Sequence, residues 1–484
     1  MSKRLLLPFL GLIIISAFFS CRKDDFSSDP NYKLEFSQDT VMFDTVFTSV
    51  GSSTEVFTVY NNNPDPIKIS SLRLATGSSS KYRLNVDGVP GKAFTDVEIG
   101  ANDSIFIFVE VTIDPLELNL PFIVTDSIIF ETNGNTQWID LVAFGQRAIY
   151  HKPDPNSRDY PFFLIDSFGN STWVDTLPHV IYGYGIVKSG STLTINAGTL
   201  VCFHPGAALI VDSAATLNVD GTPTNNVIIQ GDKLQYGYTD MAGQWDRIWL
   251  LAGSKNSTIR NAVIKNGNIG LEVDTFASAN DSTLYMENVI VKNMSTHALL
   301  LRGSKVSGYN CVFANCGSNV ANILYGGYYK FYHCTFANFW FNSTRQDPVL
   351  LMNNYYNNGP RGLTADFGNS IVYGNNEQEL GLDSFPINGY YNFHFDHSLL
   401  KIEPSFNTTT PLHYSNIIRA NGSANNPKFV DVSIGNYQLD TLSAGFNVGD
   451  PAILNIFPSV LNNDLLGNSR LVNTPDLGAY ERQQ

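Results

Sequence analysis

The chain has 484 residues, 30 of them basic and 44 acidic, for a net charge of −14. That excess of acid argues against a nucleic-acid or anionic-membrane partner and weighs against a strongly anionic polysaccharide. Charged residues make up 15% of the sequence, well below the roughly 25% of an average soluble domain, and asparagine, serine, threonine, glycine and aromatics replace them, as in extracellular β-rich proteins.

At the N-terminus, Lys3 and Arg4 precede an apolar run from Leu5 to Phe19. The run is shorter than the ~20 apolar residues a membrane-spanning helix needs and has the form of an export signal. Ser20-Cys21 closes it, and a small residue before cysteine resembles a lipobox, with Phe18 where the commonest pattern has leucine. The resemblance implies a signal peptide over 1–20 and lipid attachment at Cys21. Lys23, Asp24 and Asp25 follow. A lysine and two acids at this place resemble the surface-export signal of lipoproteins from Bacteroidota-type Gram-negative bacteria. The implied address is the outer membrane, lipid-anchored and facing the exterior. Residues 21–33 read as a lipidated tether, flexible from Phe26 onward.

Residues 34–147 read as a β-sandwich. Glu55 to Tyr60, Ile67 to Ile69 and Ser104 to Val109 alternate apolar and polar residues, with turn-rich stretches such as Asn61 to Pro66 between them. Short strands at this spacing suit a sandwich. The turn into Ile67, the run Val111 to Pro115 and the closing Leu141 to Gly145 resemble an immunoglobulin-like domain of the ASPM/SPD-2/hydin kind, which implies a spacer or docking module. Residues 148–174, with Pro153 and Pro155, read as a linker and cap.

From 175 to 484 short β-runs alternate with glycine and asparagine, and a repeat emerges. Asn261 to Asn266 recurs at Asn288, Asn310 and His333, in steps of 27, 22 and 23 residues, with weaker copies at Asn369 and His397. Such turns bury their apolar faces only by stacking, and the spacing fits a right-handed parallel β-helix. One inward row is then Ala262, Val289, Cys311, Cys334, Ser370 and Ser398. The next, two residues on, is Ile264, Val291, Phe313, Phe336, Val372 and Leu400. The intervening Val312 and Thr335 should face solvent. Cys311 and Cys334 become core thiols, and no cysteine spacing suits a zinc site. Asn266, Asn293, Asn315 and Asn338 become a side-chain amide ladder at a turn, satisfying backbone and one another. Gly243 to Ile248, Asn426 to Asp431, Ser443 to Gly449 and Asp476 to Glu481 resemble, in that order, right-handed β-helix proteins of Bacteroidota surfaces. The expected fold is all-β: an immunoglobulin-like β-sandwich followed by a right-handed parallel β-helix.

Chemistry is harder to find. An adjacent Asp pair occurs only at Asp24-Asp25, which gives a paired-carboxylate hydrolase site little support. Lys265 and Lys292 fall at equivalent places in successive turns, with Glu287 near in sequence, a faint lyase pattern that a solvated face explains as well. His394 and Asp396 share a face by alternation and His397 takes the other, too few convergent groups for a metal. Tyr328, Tyr329 and Trp340 are the carbohydrate-contact candidates, since aromatic faces are flat and apolar. No cofactor and no metal is expected, and no catalytic residue is assigned. The reading is a lipid-anchored surface protein that binds an extended, neutral or weakly charged glycan. A polysaccharide lyase or glycoside hydrolase is the first alternative, and a structural or protein-binding adhesin the second.

Overall fold

The computed structural model describes residues 25–47, 52, 54–113, 122–165, 169–234, 237–278, 280–357, 359–385, 387 and 389–482. The protein is all-β and divides into two compact units, one ending at Arg147 and one beginning at Ala148. No helix among the described residues is long and apolar enough to cross a membrane.

In the first unit, two five-stranded sheets enclose one core. Glu35–Phe36, Glu55–Asn61, Asp103–Val111, Tyr82–Val86 and Val89–Gly91 form one sheet, in that order. Thr40–Phe47, Asn135–Gln146, Phe122–Thr132, Ile67–Leu74 and Ala93–Ile99 form the other. The period of two decides the packing: Ile105, Ile107, Val109 and Val111 are buried, and Phe106 and Phe108 are exposed. The segment read as a flexible leash is docked here from Phe26. Ser27 bridges Ile67, the Phe26 ring lies 4.7 Å from the Lys68 ammonium, and Asn135 donates to the Pro30 carbonyl at 2.8 Å. Rings at Phe26 and Tyr32 give it something to bury, which the polar residues around them concealed. Asp25 is exposed. Cys21, Lys23 and Asp24 lie outside the described residues.

In the second unit the chain visits three ladders in rotation, and each strand pairs in parallel with the strand one turn later. Leu200–Phe203, Val227–Gly231, Val312–Cys316 and Thr335–Asn338 belong to the first ladder. The second is a nine-stranded sheet that includes Phe162–Leu164, Tyr184–Val187, Ala208–Val211, Trp245–Leu250, Gly267–Val273, His297–Arg302, Ala321–Leu324 and Leu350–Asn353. Thr192–Asn196, Thr216–Asp220, Lys305–Tyr309 and Gly327–Tyr332 belong to the third. The turns begin earlier than the repeat suggests. Ile149–His151 pairs with His179–Ile181, Phe162–Leu164 with Tyr184–Val187 and Ser171–Trp173 with Thr192–Asn196, so residues read as linker and cap supply a full turn.

Both inward rows are buried throughout, and Val312 pairs with Thr335 and Phe313 with Phe336. The Phe313 and Phe336 rings stack at 5.1 Å. Val312 and Thr335 do turn away from that core, but they are not exposed; each is 1% accessible. Tyr437, Ala479 and Tyr480, from the end of the chain, pack over Val312, Ala314 and Ala337 as a separate apolar layer. Leu439 and Leu477 do the same over Ile371 and Leu399. Arg470 ties this cover down: wholly buried, it donates to Asn310 Oδ1 at 2.8 Å and to the Asn463 carbonyl at 2.6 Å.

The asparagines at the repeat ends serve the corners. Asn261, Asn288, Asn310, His333, Asn369 and His397 all have φ between 42° and 55°, a left-handed conformation that asparagine tolerates better than most residues. Amide-to-amide bonding occurs in this row: Asn288 donates to Asn261 at 3.2 Å and Asn310 to Asn288 at 3.1 Å. The row expected to satisfy backbone and one another bonds backbone at Asn266 and Asn338, with no amide-to-amide bond among its described residues. Asn266 donates to the Thr239 carbonyl, Asn293 to Asp240, and Asn338 to the Cys316 and Ser318 carbonyls, while Asn315 accepts from the Tyr437 hydroxyl. Loops and the C-terminal cover reach those amides before their neighbours do.

The N-terminal end of the stack is closed by rings. His151 and His179 lie on Trp173 at 4.4 and 4.5 Å and share a 2.8 Å nitrogen–nitrogen hydrogen bond. Burial pushes both imidazoles down to about 4, with His179 adding to the shift of His151. The unfolded chain protonates near 6.5, so these groups favour folding above that pH, and their contribution is lost as pH falls from about 6.5 towards 4. The melting temperature should therefore fall between pH 7.5 and pH 5, and His151→Phe should blunt the fall.

Core truncations test the layers. Phe313→Ala or Phe336→Ala should cost about 3–5 kcal/mol in denaturant unfolding. Val312→Ser should cost about 1.5–3 kcal/mol by exposing a buried side chain to a polar replacement. In a Tyr437→Ala background that cost should shrink, a coupling of about 0.5–3 kcal/mol.

Candidate functional site

A cleft of about 700 Å³ opens where the chain turns from the second ladder to the third. Successive turns line it: Thr275 and Phe276 follow Gly267–Val273, Gly303 follows His297–Arg302, Tyr325 follows Ala321–Leu324, and a hairpin brings Tyr356 and Arg361. The volume falls within the range of small-molecule sites. Tyr328 and Tyr356 are 49% and 46% exposed, so their rings are open to a ligand. Phe276 meets Tyr328 edge-on at 5.8 Å, and Tyr325 meets Tyr356 at 4.7 Å. Gly327 makes the corner possible. Its φ is 114°, and a Cβ there would lie 2.4 Å from the Ser304 carbonyl.

A charged network backs the rings. Arg302 binds Asp274 through Nε at 2.6 Å and also binds Glu272. Arg247 holds the same Glu272 from the preceding turn, and Trp249 Nε1 donates to Asp274 at 3.0 Å. Both guanidinium groups lie about 6 Å from the Trp249 ring, at 5.9 and 6.0 Å. Burial alone would lower the pKa of Arg302, but the hydrogen bond and charge of Asp274 and the charge of Glu272 outweigh it and raise the pKa. The network holds Arg302 and Asp274 in place at the cleft edge. Among the described residues lining the cleft, Asp274 is the one carboxylate.

The sequence-predicted residues do not converge. Tyr328 lines the cleft. Tyr329 points inward, 1% exposed, with its hydroxyl donating to the Gly326 carbonyl at 2.8 Å, so it is a core residue and makes no surface contact. Alternation along Gly327–Tyr332 requires adjacent tyrosines to part. Trp340 lies in the loop leaving Thr335–Asn338, at another corner, half-buried and bonded to Ser343 Oγ. Lys265 and Lys292 are in register, but Lys292 faces Asp240 at 3.5 Å, and Glu287 pairs with Tyr285 and Arg260 across the bend at Asn288. His397, expected on the opposite face, is turned by its φ of 42° so that Nδ1 lies 2.9 Å from Asp396. Asp450 joins them, the three offering ligand atoms within 4.8 Å of one another. Asp450 also caps Ala452, and His394 bonds Ser415 instead.

Asp274, Phe276, Arg302, Tyr325, Tyr356 and Arg361 were not singled out in the sequence. They sit at the end of a strand, in corner loops of unequal length and in a hairpin, outside the repeat, and only stacking brings them together.

No protein-family model matches the sequence, and no curated protein matches it. Among solved structures, a family 123 glycoside hydrolase from Clostridium perfringens is 12% identical over 22% of this chain and 23% of its own, with a TM-score of 0.17. The E. coli chaperone DraB is 14% identical over 23% of this chain and 54% of its own, TM-score 0.17. The ASH/PapD-like domain of human CEP192 is 11% identical over 26% of this chain and 94% of its own, TM-score 0.18. The chain thus spans about a quarter of the first and about half of the second. Likenesses this slight carry no argument about fold or activity.

The network behind the cleft has a direct test. Glu272→Gln keeps the shape but removes the charge that holds Arg247 and Arg302. It should cost about 1–3 kcal/mol, the range for hydrogen bonds to charged groups, and should alter the fluorescence of Trp249.

Proposed function

We propose that this chain is a lipid-anchored outer-membrane protein of a Bacteroidota-type bacterium, exposed on the surface, that binds a neutral or weakly charged glycan at the Tyr328 cleft. In this reading the first unit is an immunoglobulin-like spacer and the second a right-handed parallel β-helix. The observation that carries the binding role is the cleft: four aromatic rings, Phe276, Tyr325, Tyr328 and Tyr356, beside a fixed Arg302–Asp274 pair. Ring faces suit the apolar faces of sugars, and guanidinium and carboxylate edges suit their hydroxyls. Binding is favoured over hydrolysis because glycosidases generally need two flanking carboxylates. Asp274 is the cleft's one described carboxylate, and Arg302 and Trp249 already engage it.

On a glycan array, Tyr328→Ala and Tyr356→Ala should each weaken the best ligand about tenfold, equivalent to about 1.4 kcal/mol. Trp340→Ala should leave it unchanged. An array without hits would sink the glycan reading, and release of shorter products from a bound polysaccharide would replace it with the enzymatic one.

The anchor is tested separately. Cys21→Ser should abolish palmitate incorporation and shift the protein out of the membrane fraction. Alanine at Lys23, Asp24 and Asp25 should preserve lipidation but reduce protease accessibility on intact cells.

A further inference from the structure

A second cleft of about 270 Å³ lies on the same ladder, towards the N-terminus. Phe162, Tyr184 and Ala208 occupy one row in successive turns. The Phe162 and Tyr184 rings stack at 4.8 Å, 24° from parallel. The next turn substitutes the small Ala208, so the row steps from ring to methyl. Ile210 lies beside Ala208 in the lining, with Arg247 and Trp249 from the following turn.

Arg247 and Trp249 also belong to the network behind the first cleft. Arg247 shares Glu272 with Arg302, and Trp249 donates to Asp274. One side-chain network therefore lies between the two clefts. From Tyr184–Val187 to His297–Arg302 the ladder advances by four pairings, about 19 Å at the usual strand spacing. Both clefts combine aromatic rings with arginine and one carboxylate: Asp246 lines the second and binds Arg247 Nε at 3.1 Å, as Asp274 lines the first and binds Arg302. The Arg247 and Arg302 side chains are 28% and 29% accessible.

We propose that the Tyr184–Trp249 cleft is a second saccharide subsite, and that one oligosaccharide runs along the stacked turns, crosses the Arg247–Glu272–Arg302 partition and occupies both clefts. The inference rests on the glycan reading of the Tyr328 cleft and adds the ligand's direction and extent. Stacking on Tyr184 and Trp249 holds one end, the rings around Tyr328 hold the other, and the carboxylate–guanidinium pairs Asp246–Arg247 and Asp274–Arg302 offer polar edges to sugar hydroxyls.

The test is calorimetric titration of the whole protein with cello-, xylo-, manno- and malto-oligosaccharides of two and six units. In the series that binds, the six-unit ligand should bind at least tenfold tighter than the two-unit ligand. Tyr184→Ala should bring the two within about threefold. Ala208→Leu, which fills the second cleft from its floor, should do the same, with thermal unfolding confirming that both variants are folded. Equal affinity of long and short ligands, or a length advantage that survives both variants, overturns the second subsite and leaves the first standing. Failure of all four series to bind overturns both.

Discussion

Everything in the second unit depends on parallel pairing between turns. A strand in one turn finds its hydrogen-bond partners and most of its apolar contacts in the turns before and after it, because a single turn encloses too little to bury its own inward row. Two consequences follow. The register must be kept from turn to turn, since a slip of one residue would send Phe313 outward and Val312 inward. The ends must also be closed. At the start His151, Trp173 and His179 lie over the interior as a stack of flat rings. Towards the other end His413 stacks on Phe393 at 4.1 Å, with Tyr414 and Phe406 beside it.

Left-handed corners let the same three-ladder path recur. The chain must bend sharply between the third ladder and the first, and Asn261, Asn288, Asn310 and their successors do so with positive φ. Their side chains then lie one above another, and their amides bond in a column. Arg470, arriving from the end of the chain, donates to Asn310 in that column. Burial lowers its pKa to about 10, opposed by Asp464, Glu481 and Asp476, so the guanidinium stays charged at neutral pH. A buried charge with partners on both sides is costly to displace, and this fixes the C-terminal cover on the outer face of the first ladder.

The legibility of the chain follows from which contacts are local. The inward rows were readable because a period of two within six residues, copied down the repeat, leaves one consistent face apolar. The outward direction of Val312 and Thr335 was readable for the same reason, but their burial was not. The residues that cover them, Tyr437 and Ala479, lie more than a hundred positions away and carry no periodic signal. The corner asparagines stand out as a pattern, but both rows include left-handed asparagines, and what separates them is distant: a loop at Thr239 and Asp240 and the Tyr437 hydroxyl take up the amides of the second row. At the cleft, Tyr328 was visible only as one of several aromatics. Phe276, Tyr325 and Tyr356 lie 31 to 80 positions apart in segments of different lengths, so no spacing rule groups them.

This division between strand and loop also explains how such a scaffold acquires a site. The strands are committed to the stack: their inward residues are core, and on the first ladder the outward ones are covered as well. Corner loops are free to vary in length because a turn needs only to deliver the next strand in register. The segments after Gly267–Val273, Ala321–Leu324 and Leu350–Asn353 therefore carry rings that the core does not need. Those rings meet in edge-on pairs, and beside them on the second ladder Glu272, 2% exposed, is charge-balanced by arginines from the turns on either side. That buried carboxylate is not in the cleft, yet it orients Arg302, Arg302 orients Asp274, and Asp274 orients Trp249. A polar chain that crosses three turns needs the turns locked in register, so the geometry of the cleft rests on the same pairing that builds the core.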